Sequence, residues 1–298
     1  MTVLLKGKPV ADDIMEKTSQ RVEELKAVGI EPTLAIVRVG ENPGDMAYER
    51  GAVKRAEEAG IAIRHMIYEA DVSQEKLIGE IEELNDDVGI HGVLIFRPLP
   101  KHIDEKVVCE TLSSRKDIDG ITSGSMAGVF MDSDEGFPPC TAEACMHILD
   151  YYGYDLTGKR VTVIGRSLVI GKPVAMMVMR RNATVTVCHS RTAHDDFKEA
   201  STGADIVIAA VGRARMIGAD ILGEDQVIID VGINTDEEGK LCGDVDFDSA
   251  AEKAVAITPV PGGVGSVTTA VLMKHVTDAA ENSDEINNMY ELMTSWQV

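Results

Sequence analysis

Two short stretches hold the residues best suited to chemistry on a phosphorylated ligand. The first is VTVIGRSLVIGKP, residues 161–173. It reads as a strand ending at Gly165, a turn through Arg166 and Ser167, and a helix opening near Gly171 with Pro173 in its first turn. A glycine-opened loop feeding a helix N-terminus offers backbone N–H groups and a positive dipole end to phosphate. The glycine spacing is G-x5-G rather than G-x-G-x-x-G, so the loop alone reads equally as a tight strand–helix turn. The second stretch is ATVTVCHSRT, residues 183–192. NAD sites usually carry Asp or Glu at the end of this strand, to hold the ribose 2′-hydroxyl. Here His189, Ser190, Arg191 and Thr192 stand there instead. A hydroxyl beside a guanidinium suits a 2′-phosphate, and Arg166 adds a second cation, which predicts NADP rather than NAD. The alternative for Arg191 is a solvated strand-end arginine.

A third stretch, AYERGAVKRAEEAG (47–60), is helical in pattern and follows the turn GENPGD. Tyr48 and Ala52 are four apart and share a helix face. Lys54 lies two residues further on, about 200° around the helix, and so belongs to a different face. In KDIDG (116–120), Asp119 precedes a glycine. It reads as a turn residue or as a carboxylate offered to a ligand with paired N–H donors.

The elements that must position these groups alternate along the chain. TLAIVRVG (33–40), IAIRHMIYE (61–69) and GVLIFRPLP (92–100) read as strands, with helices over about 46–60 and 73–87 between them. After GFPPCTAEACMHILDYYGYDLTGK the pattern restarts with strands at 160–165, 183–189, 204–212, 226–232 and 254–263. A last helical segment runs from about Val267 to Trp296. Continuous apolar strands separated by amphipathic helices predict two α/β domains with mainly parallel sheets, the second a Rossmann-type dinucleotide-binding domain.

The 298 residues are ample for two cores, and a net charge of −21 disfavours nucleic acid and anionic membrane as partners. The five cysteines (109, 140, 145, 188 and 242) form no C-x-x-C pair and no zinc spacing, so reduced thiols, a cytoplasmic home and no metal are expected. No apolar run approaches the ~20 residues of a membrane span.

Taken together, VIGRSLVIGKP, CHSRT, IDVGIN and TPVPGGVGSVT resemble the bifunctional methylenetetrahydrofolate dehydrogenase/methenyltetrahydrofolate cyclohydrolase family. LKGKPVA, VGENP, KDIDGI and PPCT extend the resemblance over nearly the whole chain in family order. It implies a homodimer of two-domain subunits: a folate-binding catalytic domain from residues 1–140 plus a C-terminal helix of about 267–298, and an NADP-binding domain from 141–266. By the same resemblance Gly165, Arg166, Ser167 and Gly171 contact NADP, with Ser190 and Arg191 at the adenosine end and Ile233 near the nicotinamide. Tyr48 and Asp119 are the implied catalytic residues. Tyr48, Phe96, Asp119, Pro261, Gly262 and Gly263 are implied to line the folate site, Asp119 accepting neighbouring N–H groups of a pterin.

The chain departs from the family pattern in one region. The family helix reads Y-x-x-x-K, and its lysine is the main acid–base group; here Ala52 stands at that position. The family strand reads V-Q-L-P-L-P, with the glutamine touching that lysine; here Phe96 occupies its place and Arg97 follows. Asp45 stands for a serine and Ser266 for a proline. Hydride transfer from methylenetetrahydrofolate rests on positioning and on the substrate's own nitrogens. Hydrolysis of the methenyl product needs a proton moved, and a phenol such as that of Tyr48 is a poor base at neutral pH. The expectation is therefore an NADP-dependent dehydrogenase with its cyclohydrolase half weakened or lost. The alternatives are the same fold acting on another pterin or carbon–nitrogen substrate, or a folate- or nucleotide-binding protein without catalysis.

Overall fold

The computed structural model describes residues 2–283, in two compact units. In chain order the elements are β1 (Val3–Leu4), α1 (Gly7–Ala27), β2 (Thr33–Val39), α2 (Pro43–Ala59), β3 (Ala62–Tyr68), α3 (Gln74–Asp86), β4 (Gly92–Ile95), α4 (Glu105–Thr111) and α5 (Ser123–Met131). Then follow α6 (Cys140–Tyr151), β5 (Arg160–Ile164), α7 (Gly171–Arg180), β6 (Thr184–Cys188), α8 (His194–Thr202), β7 (Ile206–Ala209) and β8 (Val227–Asp230). The chain continues through β9 (Asn234–Thr235), β10 (Leu241–Cys242), α9 (Phe247–Ala251), β11 (Ala256–Ile257) and α10 (Thr268–Glu281).

The unit formed by residues 13–138 and 269–283 holds a parallel three-stranded sheet, β3-β2-β4. β2 is central and buried through Leu34–Arg38, as expected of a strand covered on both faces. Ala35, Val37, Leu77, Ile81, Leu84, Val93 and Ile95 form its core. α2 is set by local chemistry. The Asn42 side chain accepts from the N–H of Gly44 at 2.8 Å, Pro43 opens the first turn, and Gly60 ends the helix at φ 77°. Its buried face is Glu49 followed by Ala52, Ala56 and Ala59, three small residues at helical spacing. β4 is shorter than the strand expected over 92–100. Phe96 N–H still bonds the Val37 carbonyl, at 3.0 Å, but Pro98 and Pro100 have no N–H to continue the ladder.

The other unit comprises residues 1–12 and 139–268 and carries a six-stranded sheet ordered β1-β11-β8-β7-β5-β6, parallel at every pairing. It is the Rossmann-type half, with Val207, Ala209, Ile228 and Ile257 in its core. The chain order reverses between β5 and β7, where ligands of open parallel sheets bind. Residues 1–12 were expected in the first domain; instead Val3 and Leu4 pair with Ala256 and Ile257 at the edge of this sheet. β11 is two residues long, against the expected 254–263, because the chain turns at Thr258 into the Pro-Gly-Gly segment. The segment expected to be helical to Trp296 is helical over Thr268–Glu281, and its part beyond residue 283 lies outside the described residues. Among the described residues no helix is long and apolar enough to cross a membrane. All five cysteines are buried and none forms a disulfide; burial pushes the Cys145 thiol up to about 12 and that of Cys109 to about 11, which leaves these two unreactive at neutral pH.

Candidate functional site

In the three-stranded unit, Tyr48 and Phe96 meet edge to face, ring centroids 5.9 Å apart. α2 brings the tyrosine and the end of β4 brings the phenylalanine. Ala52, one turn beyond Tyr48, is fully buried, and Phe96 is 9% exposed. The Lys54 side chain is 77% exposed, 3.9 Å from Glu58, so it faces away from this corner. Asp45 is partly buried; burial pushes its carboxyl above the usual carboxylate range, and the Arg38 charge acts against that.

Beneath this corner is a group that the sequence reading did not single out. Arg38 Nε donates to Glu49 Oε2 at 2.7 Å, and the Arg38 guanidinium also donates to the Gly40 carbonyl. Glu49 Oε1 lies 3.0 Å from His65 Nδ1. Arg38 and Glu49 are almost wholly buried, so each depends on the other: removing one partner leaves an uncompensated charge. The pair ties β2, α2 and the loop between them together.

Asp119 sits in the turn after a buried Asp117, whose carboxylate accepts from the N–H groups of Ile121 (2.9 Å) and Thr122 (2.7 Å) and from the Ser125 hydroxyl (2.7 Å). Asp117, Ile118 and Gly120 are buried, while Asp119 between them is only partly so.

In the six-stranded unit the expected dinucleotide loop is tightly built. A Cβ on Gly165 would stand 2.1 Å from the Ala210 carbonyl oxygen, and one on Gly171 would stand 2.3 Å from that of Gly165, so both positions exclude a side chain. The Ser167 hydroxyl oxygen accepts from Ile170 N–H at 3.1 Å, which leaves its proton to donate outward. At the end of β6, His189 N–H bonds the Thr192 hydroxyl at 2.9 Å and Arg191 N–H bonds His189 Nδ1 at 3.1 Å. This closed turn leaves the Ser190 and Arg191 side chains exposed. Arg213, after β7, was not anticipated. Its backbone is clamped by Asp244, and its side chain is exposed. Arg166, Arg191 and Arg213 are therefore three exposed cations at the ends of β5, β6 and β7, none in an ion pair among the described residues.

Ile233, Pro261, Gly262 and Gly263 come together around a cavity of about 230 Å³, which Asp230, Leu241 and Ser266 also line. Two buried carboxylates hold the surrounding loops. Asp244 accepts from the N–H groups of Val211 (2.6 Å), Gly212 (3.0 Å) and Arg213 (2.8 Å) and from Asn234 Nδ2 (2.9 Å). Asp230 accepts from Gly232, Asp244 and Val245 N–H, each at 3.0 Å; burial pushes its carboxyl up to about 6 despite those bonds. Asp244→Asn keeps the volume but turns an NH2 toward buried donors. Each unmade bond of this kind costs about 1–3 kcal/mol. The variant is expected to lose about 2–5 kcal/mol of stability by denaturant titration; wild-type stability would refute the clamp.

Residues 139–284 match the family model for the tetrahydrofolate dehydrogenase/cyclohydrolase NAD(P)-binding domain, and residues 5–119 match that for the catalytic domain. The bifunctional protein FolD of Carboxydothermus hydrogenoformans is 51% identical over 283 residues, 94% of this chain and 98% of its own. The crystal structure of the bifunctional enzyme FolD from Campylobacter jejuni superimposes with a TM-score of 0.91 at 37% identity, over 95% of this chain and 99% of that one. The Trypanosoma brucei enzyme, complexed with NADP cofactor and inhibitor, superimposes with a TM-score of 0.87 at 32% identity, over 94% and 97%. A chain with a Rossmann-type half and a three-stranded α/β half, matched along nearly its whole length, belongs to the tetrahydrofolate dehydrogenase/cyclohydrolase family.

Proposed function

We propose that this protein is an NADP-dependent methylenetetrahydrofolate dehydrogenase with little or no cyclohydrolase activity. The observation that carries the second half is the corner around Tyr48: a buried methyl at Ala52, an aromatic ring at Phe96 and a solvent-facing Lys54. That corner offers no amine to move a proton, and a positioned acid or base typically contributes ~10²–10⁴-fold. The first half needs less of the protein. A hydride leaves the methylene carbon, and the lone pair of an adjacent substrate nitrogen closes the C=N⁺ bond of the methenyl product. NADP bound in the Rossmann-type half supplies the hydride acceptor.

This chain's residues bind and orient. The cavity lined by Ile233 and Pro261–Gly263 has an apolar side chain and exposed backbone for a flat ring. Gly165, Ser167 and Gly171 fit a pyrophosphate by close approach of backbone and by a hydroxyl donor. Ser190, Arg166 and Arg191 fit the 2′-phosphate. In the other unit, Tyr48 and Phe96 form an apolar wall for the folate, and Asp119 accepts the paired N–H groups of its pterin. A homodimer belongs to the same reading, supported by the edge position of β6 and the exposure of its Val187.

The test is a two-wavelength assay of the purified protein with 5,10-methylenetetrahydrofolate and NADP, following NADPH and the methenyl product separately. Equal accumulation of both is expected. NADPH without methenyl product would mean that the cyclohydrolase is intact. No turnover would favour another substrate or a binding protein. Asp119→Asn keeps the shape but removes the charge and one acceptor. It is expected to raise the folate KM by about tenfold or more while NADP affinity holds, since bonds to a charged group are the stronger kind. Unchanged folate affinity would remove Asp119 from the site.

A further inference from the structure

We infer that His275 is a positioning residue for Asp119, acting through the backbone of the turn that carries it; this rests on the pterin-binding reading of Asp119. His275 lies on α10 and is 1% exposed. Its Nδ1 is 2.8 Å from the carbonyl oxygen of Ile118, the residue directly before Asp119. A carbonyl only accepts, so Nδ1 carries the proton and the ring donates. The ring is held in turn by Phe137, centroids 5.0 Å apart and planes 35° from parallel.

The turn is gripped from two sides. Asp117 takes the N–H groups of Ile121 and Thr122, which fixes the outgoing chain. His275 takes the carbonyl of Ile118, which fixes the peptide leading into Asp119. Ile118 itself is fully buried, and a Cβ on Gly92 would stand 2.8 Å from its Cγ2 and 3.1 Å from Val276 Cγ2. Gly120, at φ 64°, completes the turn. Between these fixed neighbours Asp119 alone is partly exposed. The Ile118–Asp119 peptide plane sets where the Asp119 side chain leaves the backbone, and His275 bonds the carbonyl of that plane.

Two substitutions separate hydrogen bonding from packing. His275→Asn keeps an N–H donor at a similar distance from the helix axis; His275→Leu keeps the apolar volume and loses the donor. His275→Leu is expected to raise the folate KM about tenfold with kcat within about twofold and NADP affinity unchanged, since a misaimed acceptor weakens ground-state binding. His275→Asn is expected to restore most of that KM. Thermal unfolding and NADP titration on each variant confirm a folded protein. A wild-type folate KM in folded His275→Leu, with Asp119→Asn impaired, overturns the positioning role and leaves the Asp119 assignment standing. Equal impairment in both histidine variants also overturns it, because packing would then be the cause. Wild-type behaviour of Asp119→Asn overturns the Asp119 assignment and this inference with it.

Discussion

Ala52→Lys combined with Phe96→Gln is expected to raise hydrolysis of methenyltetrahydrofolate on the order of 10²-fold over the unmodified protein, the lower part of the range for a positioned acid or base. The single changes should do far less. A lysine alone at Ala52 enters a fully buried position beside an aromatic ring, where the charged amine lacks a polar partner and burial favours its neutral form. Glutamine alone at Phe96 loses the edge contact with Tyr48 and leaves unfilled volume. Together, the shorter amide makes room for the lysine stem and gives its amine a carbonyl to bond. The two changes should therefore couple strongly in a double-mutant cycle. The measurement is decay of the methenyl absorbance above the buffer rate, with dehydrogenase turnover followed in parallel. Unmodified protein that already hydrolyses methenyltetrahydrofolate well above buffer would refute the proposal and direct attention to Asp45, whose carboxyl burial pushes above the usual carboxylate range.

The parts of this molecule legible in the sequence are those whose cause is local. The Gly165–Gly171 loop could be read because its closure is local: a Cβ on Gly171 would stand 2.3 Å from the Gly165 carbonyl oxygen. α2 could be read because Asn42, Pro43 and Gly60 cap it and its buried positions keep helical spacing. The long apolar strands β2 and β5 carry their own period. What stayed hidden depends on partners far along the chain. Two residues give β1 no period, and its partner strand lies about 250 positions away. Arg38 sits inside the apolar run AIVRV, and nothing nearby announces that Glu49 will pair with it and His65 with Glu49. Asp117 and Asp244 look like any turn aspartates, because the backbone N–H groups that they accept from carry no side-chain signature. His275 is one polar residue on an apolar helix face, and its acceptor is a carbonyl 157 residues earlier. Side-chain chemistry was readable, but the carboxylates and imidazole that hold the backbone in place were not.

Replacing Arg166 and Arg191 together by alanine is expected to weaken NADP binding by about a hundredfold, on the basis of about tenfold for each lost charge-assisted bond to phosphate. NAD binding should change by less than about threefold, because a ribose hydroxyl gives a guanidinium little to bond. The surroundings sharpen the expectation. The chain carries a net charge of −21, so its overall field repels a cofactor that is itself an anion. Affinity for an added phosphate must then come from cations close to it, and Arg166 and Arg191 are exposed, one after β5 and the other after β6, with no carboxylate among the described residues pairing either. Arg213, after β7, is the internal control. It stands at the end of the strand across the sheet's reversal point from β6, away from the Ser190 turn, so Arg213→Ala should not discriminate between NADP and NAD. Titration of each variant with both dinucleotides, at low and at physiological salt, reads the difference directly. The NADP preference of the unmodified protein should shrink as salt screens the contacts. Equal losses for NADP and NAD in the double variant would mean that the arginines serve the shared pyrophosphate. The choice of cofactor would then have to be sought in Ser190 and the closed turn around His189.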